Sequence, residues 1–358
     1  MLAAVLRSAG AQIRIEEMPE PSPAVDGVTL EVLAVPIPSY TKHVFAGALP
    51  GRRHLPTPFI PGLSAIGRVH ACGPAVRQVA KGDVVFADPQ LSSATDASGE
   101  NALLIGWVAS DRCADDLLAT WRNGSLAQFA HYPEQCLTRI PSGVAEALPA
   151  LSALHVLSIA HAGLGRAAME AGDVVVVTGS TGNIGSAVVL DALARGAARV
   201  VAVGRNSKIL SELAEWDRRV ATVSIASLNS ADIKSAIVDA CGGQCNVHVD
   251  ALGSTQDHGV ILAAIAALGR RGTSVLLGGA RGAIPLNYLD VMRREITVRG
   301  SYMYPRDVPR EVLMHVADGA LSLDRLDVES FGLHSVAAAV SAAAGRSGPH
   351  YVSVNPQF

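Results

Sequence analysis

A cluster of glycines between a run of valines and an alanine-rich segment is the strongest chemical signal in this sequence. The stretch VVVVTGSTGNIG places Gly179, Gly182 and Gly185 at three-residue spacing, just before a predicted helix that begins near Ile184. The dinucleotide fingerprint G-x-G-x-x-G is similar, although Ser180 replaces its first glycine. In that fingerprint a glycine lets the backbone approach a pyrophosphate, and the amides at the helix N-terminus hold the anion.

The glycine cluster alone is also explained by an ordinary tight turn between a strand and a helix. Its position after a valine strand, inside a half of the chain where strands and helices alternate, favours the phosphate-binding interpretation. We therefore predict cofactor contacts from seven consecutive residues: Gly179, Ser180, Thr181, Gly182, Asn183, Ile184 and Gly185.

The end of the next predicted strand, RVVAV, indicates which cofactor binds. An acidic residue there would hold the ribose hydroxyls of NAD, but the sequence continues with Gly204, Arg205, Asn206, Ser207 and Lys208. Two cations thus lie where a 2′-phosphate would bind, which favours NADPH over NADH. The alternative is that Arg205 and Lys208 are solvated charges at the start of a helix.

The predicted elements that position these residues follow two different patterns along the chain. Residues 1–149 contain short strands broken by Gly and Pro, and residues 150–291 alternate valine-rich strands with helix-length segments. The second pattern predicts a doubly wound parallel α/β sheet, a Rossmann fold, because parallel strands need long crossovers. Residues 292–358 are expected to return to the first, mostly β domain. The long connection from Asp88 to Asn123 is interpreted as an active-site flap or an interaction lobe.

Composition narrows the possible partners and the compartment. The net charge of -3 over 358 residues gives no basic face for nucleic acid, and no apolar run reaches the roughly 20 residues that span a bilayer. The N-terminus lacks the pattern of a secretory leader, so the cytoplasm is expected. Five scattered cysteines do not form a disulfide framework. Cys241 and Cys245 are the only close pair, and metal binding there is disfavoured without a second pair.

The order of motifs resembles the medium-chain dehydrogenase/reductase superfamily, specifically its zinc-independent, quinone oxidoreductase-like branch. The resemblance covers essentially the whole chain and rests on PFIPGLSAIGRV, KGDVV, GSLAQFA, the glycine cluster and VDALGS. It implies a GroES-like catalytic domain interrupted by a Rossmann domain, with the active site in the cleft between them.

The departures from that family concern its metal ligands. Zinc-dependent members carry a cysteine and a histidine where this sequence has Pro38 and Leu63, and Ser64 replaces a glutamate. Neither proline nor leucine ligates zinc. The structural zinc lobe uses four cysteines, whereas the matching connection here contains only Cys113. We therefore expect no metal at either site.

The resemblance also implies candidate catalytic residues. In PIPSYTKHVF, the proton-relay hydroxyl of the family falls on Tyr40, and a histidine follows at His43. Tyr40 would donate a proton or a hydrogen bond to the substrate oxygen, and His43 and the cofactor ribose would pass charge to water. The alternatives are that Tyr40 caps an apolar cleft wall and that His43 is an ordinary histidine.

Further cofactor contacts follow from the same correspondence. Ser152 matches a threonine near the nicotinamide, and four other residues end strands of the parallel sheet: Leu252, Gly253, Gly278 and Gly279. Turn glycines and core packing are the alternatives. Trp107, Trp121 and Tyr302 are interpreted either as parts of a substrate pocket or as packing residues.

Without a metal, a conjugated acceptor is the favoured substrate. A quinone or an enone spreads the charge that develops during hydride transfer, so hydrogen-bond donors and a proton source suffice. The sequence therefore predicts a zinc-independent, NADPH-dependent reductase of quinones, enones or related carbonyls. The alternatives are a metal-free alcohol dehydrogenase or ketone reductase, and a non-catalytic NADPH-binding regulatory protein. A homodimer is expected through the edge of the Rossmann sheet, near TSVLLGG and RGAIPLNYL.

Overall fold

The chain folds into two compact units in the computed structural model, which describes residues 1–92 and 102–358. Unit 1 comprises Met1–His155, Leu326–Arg346 and His350–Phe358, and unit 2 comprises Val156–Arg325 and Ser347–Pro349. Residues 93–101, which belong to the predicted 88–123 connection, lie outside the described residues. Among the described helices, none combines the length and the apolar character needed to cross a membrane.

The secondary-structure elements fall into three consecutive stretches of the chain. The first contains β1 (Leu2–Val5), β2 (Arg14–Glu17), β3 (Gly27–Pro36), α1 (Thr41–Phe45), β4 (Arg53–His54), β5 (Ala65–Cys72), β6 (Val84–Ala87), β7 (Gln90–Ser92), β8 (Ala102–Leu104), β9 (Val108–Ala109), α2 (Asp115–Trp121), β10 (Phe129–Pro133), β11 (Leu137–Arg139) and α3 (Leu148–Leu151). The second contains α4 (Leu154–Arg166), β12 (Val174–Thr178), α5 (Asn183–Ala194), β13 (Arg199–Gly204), α6 (Ser207–Trp216), β14 (Val220–Ser224), α7 (Ser230–Cys241), β15 (Cys245–Asp250), α8 (Gly259–Ala267), β16 (Leu268–Leu276), α9 (Tyr288–Arg294), β17 (Thr297–Gly300) and α10 (Val308–Ala317). The third contains β18 (Asp327–Gly332), α11 (Val336–Ala343) and β19 (His350–Asn355), and short 3₁₀ turns span Glu134–Cys136, Leu323–Arg325 and Leu333–Ser335.

Unit 1 is mostly β, as its short strands and turn residues predict. A sheet with the order β11-β6-β5-β3-β19-β18, in which β10 also pairs with β3, is accompanied by a four-stranded sheet, β4-β9-β8-β7. Leu30, Val32 and Val85 lie in its core with Trp107. The C-terminal strands β18 and β19 complete this sheet, so the last part of the chain belongs to unit 1.

Unit 2 contains a six-stranded parallel sheet with the order β14-β13-β12-β15-β16-β17. Three valines of β12, Val175 to Val177, are fully buried, which explains its continuous apolar run. The strand order reverses next to β12, because the chain moves to β13 on one side and to β15 on the other. Doubly wound sheets of this order bind ligands outside the carboxyl ends of their strands, at that reversal. The predicted two-domain α/β fold is confirmed.

One boundary and the edge strand of the parallel sheet differ from the sequence-based expectation. The return to unit 1 begins at Leu326 rather than at residue 292, because β17 is the sixth strand of the parallel sheet and α10 also belongs to unit 2. The segment TSVLLGG was expected at the sheet edge, but β16 lies between β15 and β17. The edge strand on that side is therefore β17.

Candidate functional site

The glycine turn joins β12 to α5 through three glycines with different roles. Gly179 has φ +73°, in the left-handed region, and a Cβ there would lie 2.6 Å from the backbone of Ala251. A Cβ at Gly185 would lie 2.2 Å from the carbonyl oxygen of Gly179, so only glycine lets α5 pack this closely against the turn. At Gly182 the nearest atom would be 3.4 Å away. The absence of a side chain at Gly182 thus leaves the surface of the turn open.

The first turn of α5 offers backbone donors to an anion. Gly182 is the N-cap residue, and no side chain caps the helix. Uncapped N-terminal amides and the positive end of the helix dipole favour a phosphate at this position. The site thus fits the diphosphate of a dinucleotide on the chemistry of its donors.

Neighbouring side chains hold this turn in place. The buried Ser180 hydroxyl donates to the carbonyl oxygen of Val203 on β13 at 3.0 Å, so it supports the turn from inside. Asn183, the first residue of α5, donates from Nδ2 to the carbonyl oxygen of Gly348 at 2.9 Å. Thr181 and Ile184 are partly buried.

The carboxyl end of β13 lies beside this turn and carries the predicted cations. A Cβ at Gly204 would lie 2.4 Å from Cγ2 of Thr181, so glycine is required where the two segments meet. Arg205 and Lys208 are exposed, and neither makes an ion pair or side-chain hydrogen bond within the described chain. Asn206 caps α6 by accepting a hydrogen bond from the amide of Ile209 at 3.3 Å. Both cationic side chains are therefore available to a ligand.

The carboxyl ends of β15 and β16 form the opposite side of the reversal. The amide of Gly279 donates to the carbonyl oxygen of Leu252 at 2.7 Å, and Gly253 and Gly278 are exposed. A Cβ at Gly278 would lie 2.4 Å from the same carbonyl oxygen, which explains the glycine. The structure thus brings four predicted residues together at this edge.

A buried hydrogen-bond network of four polar side chains lies beneath this edge and was not predicted from the sequence. Thr178 donates to Oδ1 of Asp250 at 2.8 Å, His248 Nε2 lies 3.0 Å from the Thr178 hydroxyl, and His248 Nδ1 lies 2.9 Å from the Ser274 hydroxyl. All four residues are nearly fully buried. Asp250, the acid that ends the strand in VHVDALG, was the available signal, whereas its partner Thr178 is 72 residues away on β12.

Burial determines the protonation of His248 and Asp250 in this hydrogen-bond network. It lowers the pKa of His248 to about 3, so the imidazole is neutral and carries one N–H. The donors then run in one direction, from Ser274 to His248 to Thr178 to Asp250. Burial also raises the pKa of Asp250, against the hydrogen bonds from Thr178 and the Leu252 amide. The hydrogen-bond network links three adjacent strands just below the carboxyl ends of β12 and β15.

The two predicted catalytic residues lie in unit 1, at the start of α1. Tyr40 is the N-cap residue with 38% of its surface exposed, and its ring meets the buried Trp107 ring edge-on at 6.0 Å between centroids. His43 is exposed and three residues further on, so both lie on one side of the same turn. The main-chain amide of His43 donates to the carbonyl oxygen of Tyr40 at 2.9 Å.

The residues at the family's catalytic zinc positions do not fit a zinc ion. The carbonyl oxygen of Pro38 accepts hydrogen bonds from the amide and hydroxyl of Thr41, and the Leu63 side chain is 1% exposed in the apolar core. The buried Ser64 hydroxyl has no hydrogen-bond partner among the described residues, but a neutral hydroxyl is not a zinc ligand of the usual set. No step of the chemistry is therefore assigned to a metal here.

The remaining sequence candidates have mixed positions. Ser152 lies in unit 1, where its buried hydroxyl donates to the carbonyl oxygen of Pro149 at 2.7 Å. Trp107 and Trp121 are buried in the core of unit 1, which agrees with the packing interpretation. Tyr302 is 56% exposed, and Cys241 and Cys245 are buried free thiols. The cofactor contact of Ser152 stays a prediction.

Two domain families match the chain in the order that the fold requires. Residues 25–142 match the alcohol dehydrogenase GroES-like domain, and residues 183–318 match the zinc-binding dehydrogenase domain. The second match extends through β17 and α10, which agrees with their place in unit 2.

Full-length relatives are similar over nearly the whole chain. An alcohol dehydrogenase of Moraxella sp. (strain TAE123) is 28% identical over 322 residues, which are 89% of each chain. A sorbitol dehydrogenase of Rattus norvegicus is 25% identical over 334 residues, 92% of this chain and 89% of the relative.

Solved structures share the fold over the same length. A protein of Sinorhizobium meliloti 1021, described as a zinc-binding dehydrogenase bound to NADP, superposes with a TM-score of 0.82 at 23% identity, and 2R,3R-butanediol dehydrogenase of Bacillus subtilis with 0.83 at 20%. Each comparison covers 99% of both chains. The two domain-family matches and the relatives together support the alcohol dehydrogenase-like, medium-chain dehydrogenase/reductase superfamily of NAD(P)-dependent oxidoreductases as the family of this chain.

Proposed function

We propose that this protein is an NADPH-dependent oxidoreductase that reduces quinones, enones or related conjugated carbonyls without a catalytic metal. The observation that carries the proposal is the pairing of two features of unit 2. The uncapped first turn of α5 offers amides to a diphosphate, and the exposed side chains of Arg205 and Lys208 stand at the adjacent end of β13. Two cations favour the additional phosphate of NADPH. NAD would instead need an acidic side chain at this position to bind its ribose hydroxyls.

The cofactor-binding residues surround the reversal of the strand order. The turn from Gly179 to Gly185 would hold the diphosphate, and Gly204, Arg205, Asn206 and Lys208 would hold the adenosine end. The main chain at the carboxyl ends of β15 and β16 would receive the ribose and nicotinamide: Leu252, Gly253, Gly278 and Gly279. Ser152 is proposed as a further contact near the nicotinamide, on the basis of the family resemblance.

Bound NADPH supplies a hydride from C4 of its nicotinamide. The protein must then stabilise the negative charge that develops on the acceptor and provide a proton. We assign proton or hydrogen-bond donation to the Tyr40 hydroxyl, because the partly exposed Tyr40 is oriented by its ring contact with Trp107. His43 is proposed to pass the proton onward to water.

The absence of zinc ligands at Pro38 and Leu63 favours conjugated acceptors. A simple ketone concentrates charge on one oxygen, where a metal ion would act as a Lewis acid. A quinone or an enone delocalises that charge, so that a single hydroxyl donor contributes a sufficient share of the stabilisation. The expectation of a metal-free catalytic site rests on these residue types.

A second candidate is a metal-free alcohol dehydrogenase or ketone reductase. The names of the relatives, alcohol dehydrogenase and sorbitol dehydrogenase, favour this chemistry. A third candidate is a protein that binds NADPH for a regulatory purpose without turning it over. The three differ in which acceptors cause oxidation of NADPH.

The deciding experiment follows absorbance at 340 nm in both directions. Oxidation of NADPH is measured with quinones, enones and simple ketones, and reduction of NADP⁺ is measured with alcohols. Turnover of quinones or enones that is unchanged after chelator treatment supports the leading proposal. Turnover confined to ketones and alcohols supports the second candidate. Saturable NADPH binding without turnover of any acceptor supports the third, and dependence of quinone turnover on added zinc contradicts the metal-free mechanism.

We also propose a homodimer formed through the β17 edge of the sheet and the adjacent helix α9. Tyr288, Leu289 and Met292 are 78%, 52% and 52% exposed, and their spacing places them on one face of α9. Leu286, in the predicted segment RGAIPLNYL, extends this apolar surface at 38% exposure. A second copy of the chain would cover both the surface and the unpaired strand edge.

We propose a reducing compartment, the cytoplasm, as the site of action. All five cysteines are free thiols in the structure, and four of them are buried. Structural disulfides are typical of proteins in oxidising compartments, so the thiols favour a reducing one.

A further inference from the structure

A compact cluster of potential metal ligands lies in unit 2, away from the glycine turn. His161 of α4, Asp191 of α5 and His315 of α10 each offer one ligand atom, and these atoms all lie within 4.8 Å of one another. His161 and Asp191 are buried, and His315 is partly buried. We propose that this cluster binds a divalent transition metal ion of the Zn²⁺ class, which links the three helices.

The two carboxylate contacts of His161 suit a metal-bound histidine when its proton is on Nε2. Its Nδ1 lies 3.0 Å from Oδ1 of Asp191, and its Nε2 lies 3.2 Å from Oε2 of Glu311. A neutral imidazole carries one N–H and therefore donates to only one of two carboxylates. With the proton on Nε2 and facing Glu311, Nδ1 presents its lone pair beside Asp191. A histidine ligand typically donates its other N–H to a carboxylate in this way.

The other two proposed ligands, Asp191 and His315, have different surroundings. Arg195 donates from Nε to Oδ2 of Asp191 at 3.0 Å, which fixes the carboxylate and leaves Oδ1 toward His161. His315 Nδ1 is buried, and the described chain supplies no hydrogen-bond partner for it. The rings of His161 and His315 meet edge-on with their centroids 5.2 Å apart. A buried ring nitrogen without a partner is costly unless something binds it.

The ligand set and its charge suit a borderline transition metal rather than Ca²⁺ or Mg²⁺. Two imidazole nitrogens and one carboxylate oxygen are typical of Zn²⁺, Co²⁺ and Ni²⁺, whereas Ca²⁺ and Mg²⁺ prefer oxygen ligands. Asp191 and Glu311 together balance the charge of a divalent ion. Arg195 offsets part of that negative charge, which favours binding of moderate affinity.

A cavity beside the cluster gives a metal ion a path to the proposed ligands, and the His315 side chain can move to bind it. A surface cavity of about 810 Å³ is lined by His161, Glu311 and His315, so two of the three proposed ligands border it. A tetrahedral ion with bonds of about 2.0–2.1 Å holds its ligand atoms about 3.4 Å apart. The partly buried His315 side chain must therefore turn inward when the ion binds. The cavity leaves the fourth coordination position to water or a small anion.

The test uses the full-length, tag-free protein after removal of metals with a chelator. Titration with Co²⁺ is expected to give one equivalent of saturable d–d absorption in the visible range, which Zn²⁺ displaces. His315→Ala should weaken Co²⁺ binding at least tenfold, and Glu311→Gln about tenfold, because partners of a metal-bound histidine typically contribute that much. His334→Ala, at an exposed histidine of unit 1, is the matched control and should leave the affinity within twofold.

Three results would overturn the proposal. The first is the absence of saturable Co²⁺ absorption in the unmodified protein, which requires no variant. The second is equal binding by the unmodified protein and His315→Ala, which would move the metal to another site. If His315→Ala does not fold by circular dichroism, Glu311→Gln decides instead, because its side chain is 46% exposed. Unchanged Co²⁺ affinity in Glu311→Gln is the third. Because these readouts are spectroscopic, they are independent of NADPH turnover.

Discussion

A Cβ on Gly185 would lie 2.2 Å from the carbonyl oxygen of Gly179, a separation that no real pair of such atoms adopts. Replacement by alanine must therefore move α5 away from the turn that precedes it. At Gly182, three residues earlier, an added Cβ would meet its nearest neighbour at 3.4 Å, and the backbone at φ -91° suits any residue. The two glycines thus separate packing from ligand approach.

Gly185→Ala should lower the free energy of unfolding by about 1–3 kcal/mol, the usual cost of overpacking. Gly182→Ala should change it by less than about 1 kcal/mol but weaken NADPH binding about tenfold or more, because the methyl group occupies the path of the diphosphate. Urea unfolding and NADPH fluorescence titration measure the two effects. Full stability in Gly185→Ala, or full affinity in Gly182→Ala, would contradict this division of roles.

Arg205→Ala should raise the dissociation constant of NADPH by about 10- to 100-fold, since a hydrogen bond to a charged group contributes about 1.5–3 kcal/mol. The constant for NADH should change by less than about twofold. Arg218→Ala, at another exposed arginine of unit 2, is the control. Equal affinity for both cofactors before and after the Arg205 substitution would remove the proposed preference.

Tyr40→Phe should lower kcat about 10- to 100-fold with conjugated acceptors and leave the NADPH dissociation constant unchanged, because it removes only the hydroxyl donor. The ring contact with Trp107 is retained in phenylalanine, so stability should change little. Tyr288→Phe, at a tyrosine that is 78% exposed on α9, should leave kcat unaltered. Unchanged kcat in Tyr40→Phe would exclude Tyr40 from proton transfer.

Stability should fall as the pH drops below about 6.5. Burial lowers the pKa of His248 to about 3 and that of His155 to about 4, whereas the unfolded chain binds these protons near pH 6.5. Each histidine should therefore cost about 2 kcal/mol between pH 6.5 and 5. The raised pKa of Asp250 acts in the opposite direction, above about pH 3.9.

His248→Gln tests this pH dependence. The variant should lose about half of the decrease in unfolding free energy between pH 6.5 and 5, measured by urea denaturation. His334→Gln, at an exposed histidine, should keep the full decrease. The same pH profile in the His248 variant and the unmodified protein would show that this histidine titrates normally.

Leu289→Asp should dissociate the proposed homodimer, because it adds a charge to the exposed apolar face of α9. Light scattering at micromolar concentration should report the dimer mass for the unmodified protein and the monomer mass for the variant. Val25→Asp, which changes a 66% exposed valine in unit 1, should remain dimeric. A monomer before any substitution would contradict the assembly.

The sequence predicted the elements whose patterns are local. The valine run of β12, the glycine turn and the start of α5 lie within a dozen residues, so spacing alone defines them. The cations at the end of β13 were predicted for the same reason, since the strand and its following residues are contiguous. The family resemblance supplied Tyr40 and His43, which no periodicity would have distinguished.

The features that were missed depend on contacts between distant segments. Asp250 joins Thr178 across 72 residues, and His161 joins Asp191 across 30, so no spacing rule connects them. The four-residue spacings of Glu311 and His315 on α10 and of Asp191 and Arg195 were the local signals of the proposed metal cluster. The four-residue strand β17 was assigned to the wrong unit, because so short a segment, TVRG, carries too little pattern to indicate which sheet it joins.

The hydrogen bond from Asn183 to Gly348 gives the order of synthesis a role in folding. Residues Ser347–Pro349 belong to unit 2, although 21 residues of unit 1 separate them from Arg325. The glycine turn therefore acquires this partner only after residue 348 has left the ribosome. A nascent chain that stalls shortly before that point carries all six parallel strands but lacks this hydrogen bond at the start of α5.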